Sequence, residues 1–414
     1  MYRKAIGLVA FIFGAALPLS TKMGNVALGV LMGLLLILVV KERAGFERKS
    51  FKKQLFLSTV IVFFMVIYGL LFTSDLPKGM TIIGRSISYL AVPAILFFVS
   101  RNLLKNLKNS ALKGIIYGTT VAAIILLSNN FIKYFSFKKA VVIDSDLFNY
   151  YYTYLEFASI LKMHPTYLGM YFLTALSALL FVKLSIDKSL KIALGLLFLL
   201  TIVFLNSRTV LLFTIVLLFL ILIRVLKGLY TQKKLFFYGL IVLVSFVAVG
   251  SYQLFKGTYV YSRITTELSW ELSTNVNSKY NNKHSADSRW SRWIVTRDLI
   301  KEKPIFGYGT GSSETLLKEL YVRKGLTNSA QSNYDTHNQY LHITIEFGVV
   351  GLLLFLFYLV GNVVRAIKLR NWISVSFFAM ILICSAFENI FKFNEGVIFI
   401  AFFSNIYMFL NTRE

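Results

Sequence analysis

The pair His337-Asn338 stands at the head of an apolar run containing Gly348 and Gly351, just after a long polar stretch rich in arginine. An imidazole that is neutral near pH 7 is the natural group to take a proton from a hydroxyl. Read alone, such a residue is more often a hydrogen-bonded loop histidine, and it is the spacing that favours chemistry. Asp335, two positions earlier, is placed either to orient that ring or to cap the helix that follows. Arg85 and Arg208 each stand at the start of an apolar run, while Arg289 and Arg292 lie one turn apart in a tryptophan-rich segment. Guanidiniums stay charged at every relevant pH and grip phosphate oxygens in pairs, so they suit a phosphate-bearing leaving group. The bland alternatives are a boundary arginine that snorkels to the interface and, for Arg289, a solvated helix face.

Other ionisable residues carry less. Glu388, beside Asn389, sits near the end of an apolar run and is either functional or solvated and paired with Lys392. Asp144-Ser145-Asp146 has the form of a metal-binding Asp-x-Asp, a short pattern that recurs without function. His164 adjoins a proline at a helix entrance and is expected to shape that turn. His342 faces away from His337, His284 lies in a polar run, and neither is assigned a role.

The elements that must position these groups are membrane helices. With 57% hydrophobic and only 15% charged residues, the chain is excluded from the ordinary soluble class. Its apolar runs are continuous and long enough to cross about 30 Å of hydrocarbon, unlike the alternating segments of an outer-membrane barrel. Twelve spans are expected, at about 5–21, 24–40, 55–73, 86–100, 114–130, 166–184, 190–207, 209–226, 235–254, 343–364, 372–390 and 396–411. The first is read as a retained span and not a cleaved signal. A formal charge of +25 would suit nucleic acid, but the basic residues gather in alternate short connections. These are Lys41 to Lys53, Arg101 to Lys113, Lys183 to Lys191, Arg224 to Lys234 and Arg365 to Arg370. The positive-inside rule puts them and both termini in the cytoplasm, and nucleic acid is not expected as a partner. The single cysteine, Cys384, excludes a disulfide within the chain.

The domain plan is then spans one to nine over 1–254, an outward-facing loop over 255–342, and spans ten to twelve over 343–414. Within the loop, residues 287–300 read as an amphipathic helix of the membrane surface, anchored by Trp290, Trp293, Ile294 and Ile300 and ended by Pro304. Gly307, Gly309 and Gly311 mark a turn that opens a second helix, capped by Ser312 or Ser313.

His-Asn, nine residues, Gly, two residues, Gly resembles the signature of O-antigen ligases, within the O-antigen ligase and polymerase superfamily. Arg208-Thr-Val-Leu-Leu resembles that family's Arg-x-x-x-Leu element. Arg289 with Trp293, Pro304 and the three loop glycines resembles the opening of its large periplasmic loop, and Arg85, near the outer start of the fourth span, matches a basic position often present at that place in the family. The resemblance implies an all-α polytopic fold of the GT-C type in the bacterial inner membrane, with the active site facing the periplasm. It implies inverting, metal-independent transfer of a polysaccharide from undecaprenyl diphosphate to a sugar hydroxyl of lipid A-core, without a cofactor. His337 would be the base, Arg208 and Arg289 with Arg85 would hold the departing diphosphate, and Asp335, Asn338, Arg292 and Glu388 would support them. Both substrates are lipid-anchored, so a cavity open laterally to membrane lipids suits them. An O-antigen polymerase or a protein O-oligosaccharyltransferase would use the same donor. A transporter of lipid-linked glycans would instead show charged or glycine- and proline-broken spans.

Overall fold

The computed structural model describes residues 2–42, 51–280 and 284–412. It is an all-α polytopic membrane protein, with eight helices long and apolar enough to cross a bilayer among the described residues. Shorter apolar helices cover Val60–Gly69, Pro165–Phe181 and Trp372–Ser385. Each of the twelve expected runs falls on helix. The connection from Lys41 to Lys53 lies largely outside the described residues, and the His284 side chain is outside them too.

Three expectations are corrected. Three of the basic stretches are mostly helix and not connections: Arg101 to Lys113 forms the first turns of Arg101–Lys138, Arg224 to Lys234 runs through the end of Arg208–Gln232, and Arg365 to Arg370 through the end of Gln339–Lys368. The run at 55–73 is not one span: it divides into Phe51–Leu57 and Val60–Gly69 at Ser58-Thr59. A break at that depth frees backbone groups that lipid cannot satisfy. Side chains take them instead, with Asn405 Oδ1 accepting from Thr59 N at 3.2 Å and Asn362 Nδ2 donating to Leu57 O at 2.8 Å. The third is the helix Gln339–Lys368, which is interrupted at Gly348.

Two compact units divide the chain: Met1–Thr119 with Thr174–Ser185 and Ser269–Glu414, and Thr120–Leu173 with Ile186–Leu268. The first is built around Asn394–Thr412, whose residues from Gly396 onward are all buried and which packs against Ser88–Leu96. Its polar part contains a hairpin, Ser278–Tyr280 paired antiparallel with His284–Ala286, and the helices Arg289–Glu302 and Ser313–Arg323. Leu299, Leu317, Leu320, Tyr321 and Ile345 form a small apolar core beneath those helices. In the second unit, Phe148 and Phe157 stack on Phe204 at 5.4 and 5.3 Å. Every residue of Lys234–Phe255 is exposed or half-buried, a surface that suits lipid and not water.

Candidate functional site

His337 is held in the left-handed region, φ +44, an expensive conformation for a side chain with a Cβ. Its surroundings over-determine it. The carboxylate of Asp335 accepts from His337 N at 2.9 Å, Arg292 donates to the Asp335 carbonyl at 3.2 Å, and Trp293 Nε1 donates to the Thr336 carbonyl at 2.8 Å. Asn338 caps the next helix, its Oδ1 accepting from Tyr340 N and Leu341 N at 3.0 and 3.1 Å. The cap is therefore Asn338, and Asp335 faces the ring.

Two carboxylates meet the same ring nitrogen. Nδ1 lies 3.2 Å from Glu388 Oε2 and 3.6 Å from Asp335 Oδ1. That geometry puts the proton of the neutral ring on Nδ1 and leaves a lone pair on Nε2, the form a general base needs. The ring keeps 30% of its surface exposed, so a substrate hydroxyl can reach it. Glu388 belongs to the turn after Trp372–Ser385, which is tied down where Phe391 N donates to Gln339 Oε1 at 3.0 Å. Arg289 backs it, with Nη2 at 3.6 Å from Glu388 Oε1 and Nη1 donating to the Phe387 carbonyl at 2.8 Å. Glu388 is thus engaged by His337 and Arg289, and Lys392 goes elsewhere: 3.5 Å from Asp335 and 2.7 Å from Glu314, which also meets Lys78 at 2.9 Å.

These contacts set the charges. Burial opposes ionisation of Asp335, but His337, Lys392 and the His337 N–H hold its carboxyl well below the usual range. Burial likewise disfavours the Lys392 ammonium, yet Asp335 and Glu314 outweigh it and raise its pKa. At Glu314 the hydrogen bonds from Lys392 and Lys78 overcome burial and lower the carboxyl to about 2.

The helix Arg289–Glu302 differs from its expected surface role. It buries Arg292, Thr296 and Leu299, and leaves Trp290 43% and Ile294 37% exposed. A buried guanidinium is costly unless matched. The Asp335 carbonyl and the Tyr334 ring, 4.9 Å from the Arg292 guanidinium carbon, match it. Trp293 is spent on the Thr336 carbonyl, so only two of the four expected anchors, Trp290 and Ile294, face outward.

The glycines have a geometric reason. At Gly348, φ +64, the helix opens and the segment after Pro304 lies in the gap: Val349 N donates to Pro304 O and Val350 N to Ile305 O. A Cβ on Gly348 would stand 2.1 Å from Ile305 O. Returning from the gap, Tyr308 N and Gly309 N donate to Ile345 O and Glu346 O, and Thr310 N to Gly69 O. Ser312 is the N-cap residue of Ser313–Arg323, as expected, but its hydroxyl makes no capping bond and donates to Tyr308 O, while Ser313 Oγ donates to Glu346.

The remaining expected residues are placed as follows. Arg85 opens on two cavities that His337 does not line. Arg208 belongs to the second unit, at the first position of Arg208–Gln232, after Asn206 in the left-handed region and Ser207, whose hydroxyl lies 3.0 Å from that of Thr166. Arg263, unsuspected from sequence, pins this connection by donating to Asn206 O at 3.1 Å, and stacks 3.5 Å over the Tyr154 ring. Asp144 and Asp146 both pair with Lys138, at 2.8 and 2.5 Å, so an internal ammonium occupies their carboxylates. His164 Nδ1 accepts from Thr166 N, shaping its turn as expected.

Comparison with known proteins supports the motif over part of the chain. Residues 193–356 match the O-antigen ligase family model. The match takes in Arg208, Arg289, Arg292, His337 and both glycines, and the resemblance drawn from the motif is thereby shown. Arg85 and Glu388 fall outside it. Two rickettsial proteins, each provisionally named a polysaccharide ligase, are similar over short stretches. One, of Rickettsia conorii, is 36% identical over 80 residues, and one of Rickettsia felis is 37% identical over 82 residues. In each case 17% of this chain and 18% of the relative are covered.

Proposed function

We propose that this chain is a membrane glycosyltransferase of the O-antigen ligase type. It would move a glycan from a polyprenyl diphosphate, with undecaprenyl diphosphate as the expected carrier, to a sugar hydroxyl of lipid A-core. The observation that carries the reading is the Nδ1 contact of His337 with Glu388, inside the matched motif and backed by Arg289. Nε2 takes the acceptor hydroxyl proton as the oxygen attacks the anomeric carbon from the face opposite the diphosphate. The bond to the diphosphate breaks with inversion, and the electron pair departs with the phosphate. Glu388 stabilises the imidazolium through Nδ1–H, as a buried carboxylate does beside a catalytic histidine.

Arg208 is suited to the departing charge. It places a fixed cation beside the free N–H groups of a helix N-terminus, two features that attract a phosphate. Arg289 acts through Glu388, and Arg292 through the backbone at Asp335; both are positioning residues. The diphosphate linkage carries the free energy of transfer, so the reaction is read as independent of metal and ATP.

The test is transfer from a polyprenyl-diphosphate glycan by the purified chain in detergent. His337→Ala should lower the rate by at least about a hundredfold, with membrane insertion and thermal midpoint unchanged. A variant as active as wild type removes the base assignment.

A further inference from the structure

A groove of about 910 Å³ runs along Thr21–Glu42, Ser88–Leu96 and Asn394–Thr412, all within the first unit. Polar residues gather at its mouth, Asn25, Arg85, Ser88, Lys392, Asn394 and Glu395, with Ile87 and Phe393 among them. Its floor is apolar, and each helix changes in the same sense. Asn25 gives way to Leu28 and Met32, Ser88 to Val92, and Asn394 to Ile398. On Thr21–Glu42 these positions are three and four residues apart and make one face. His337 is not among the lining residues; the groove meets the proposed chemistry only through Lys392, which pairs with Asp335.

The charges at the mouth differ in how they are engaged. Lys392 is held by Glu314 and Asp335, and Glu395 accepts from Thr21 Oγ1 at 3.4 Å. Arg85 is exposed and makes no hydrogen bond or ion pair with the protein among the described residues. A guanidinium directed at a slot with an apolar floor fits a phosphate carried on a hydrocarbon chain. The Glu395 carboxylate also lines the mouth and repels added negative charge there.

We propose that this groove binds a lipid with a single phosphate, its headgroup at Arg85 and its chain along Leu28, Met32, Val92 and Ile398. Arg85 thereby belongs to a lipid site and not to the leaving diphosphate.

Native mass spectrometry of the full chain in detergent tests this, with dioleoyl phosphatidate and dioleoylglycerol as probes that differ only in the phosphate. Wild type should retain one phosphatidate and about tenfold less dioleoylglycerol, and Arg85→Gln should lower phosphatidate retention about tenfold. A Cβ on Gly29, which also lines the groove, meets nothing within 4 Å, so Gly29→Phe should fold and block retention of both lipids. His337→Ala should retain phosphatidate as wild type does, which separates this site from the transfer reaction. Equal retention of the two lipids, wild-type retention by Arg85→Gln, or displacement by inorganic phosphate alone would each overturn the proposal.

Discussion

At the residue scale, the informative feature is that one imidazole nitrogen is fully committed and the other is open. Glu388 and Asp335 compete for Nδ1, and Nε2 has no protein partner among the described residues. If Glu388 fixes the tautomer and stabilises the imidazolium, Glu388→Gln should cost at least about a hundredfold in kcat with little change in KM. Steady-state kinetics would show this; an unchanged kcat would reduce Glu388 to a packing partner of Arg289. Arg208 makes a different demand. Lysine keeps the charge but loses the planar fork, so Arg208→Lys should lower kcat/KM by about tenfold or more, and wild-type turnover would mean that the residue only snorkels.

At the element scale, two apolar runs are broken, and the breaks do structural work. A transporter reading expects broken spans to line a substrate path. Here the gap at Ser58-Thr59 is closed by Asn405 and Asn362, and the gap at Gly348 by the backbone at Pro304 and Ile305. The second closure fastens the polar loop to the same helix that begins just after His337. Gly348→Ala adds a Cβ 2.1 Å from Ile305 O at a positive φ, and should destabilise by about 3 kcal/mol or more. Gly195→Ala, in the helix Lys188–Leu205 with nothing within 4 Å, should be neutral or slightly stabilising. Thermal midpoints of the two variants in detergent check the contrast.

At the scale of the whole molecule, polar segments are joined by a chain of charges: Lys78, Glu314, Lys392, Asp335 and His337. Glu314 and Asp335 both hold their protons more weakly than free carboxyls, Glu314 at about 2. Unfolding therefore takes up protons in acid. Their contribution is complete above the unfolded carboxyl range of about 4 and is lost as pH falls toward the folded values. The thermal midpoint should drop on acidification below about pH 4, and Glu314→Gln should flatten that drop. An identical acid profile in the variant would show that the network adds nothing to stability.

The helical membrane fold was legible because apolar length alone decides whether a run can cross hydrocarbon, and each expected run falls on helix, though that at 55–73 is divided and that at 343–364 is interrupted. His337-Asn338 and the two glycines were legible as a spaced motif, whereas the cap by Asn338 and the break at Gly348 were not. The partners of His337 were not. Glu388 is 51 residues away, Lys392 reaches Asp335 across 57, and Arg292 turns inward where amphipathic spacing would leave it in solvent. Local sequence sets propensity and depth in the membrane. Which charge meets which is decided by packing, since a buried guanidinium or carboxylate accepts whatever opposite charge, carbonyl or ring the fold brings within reach.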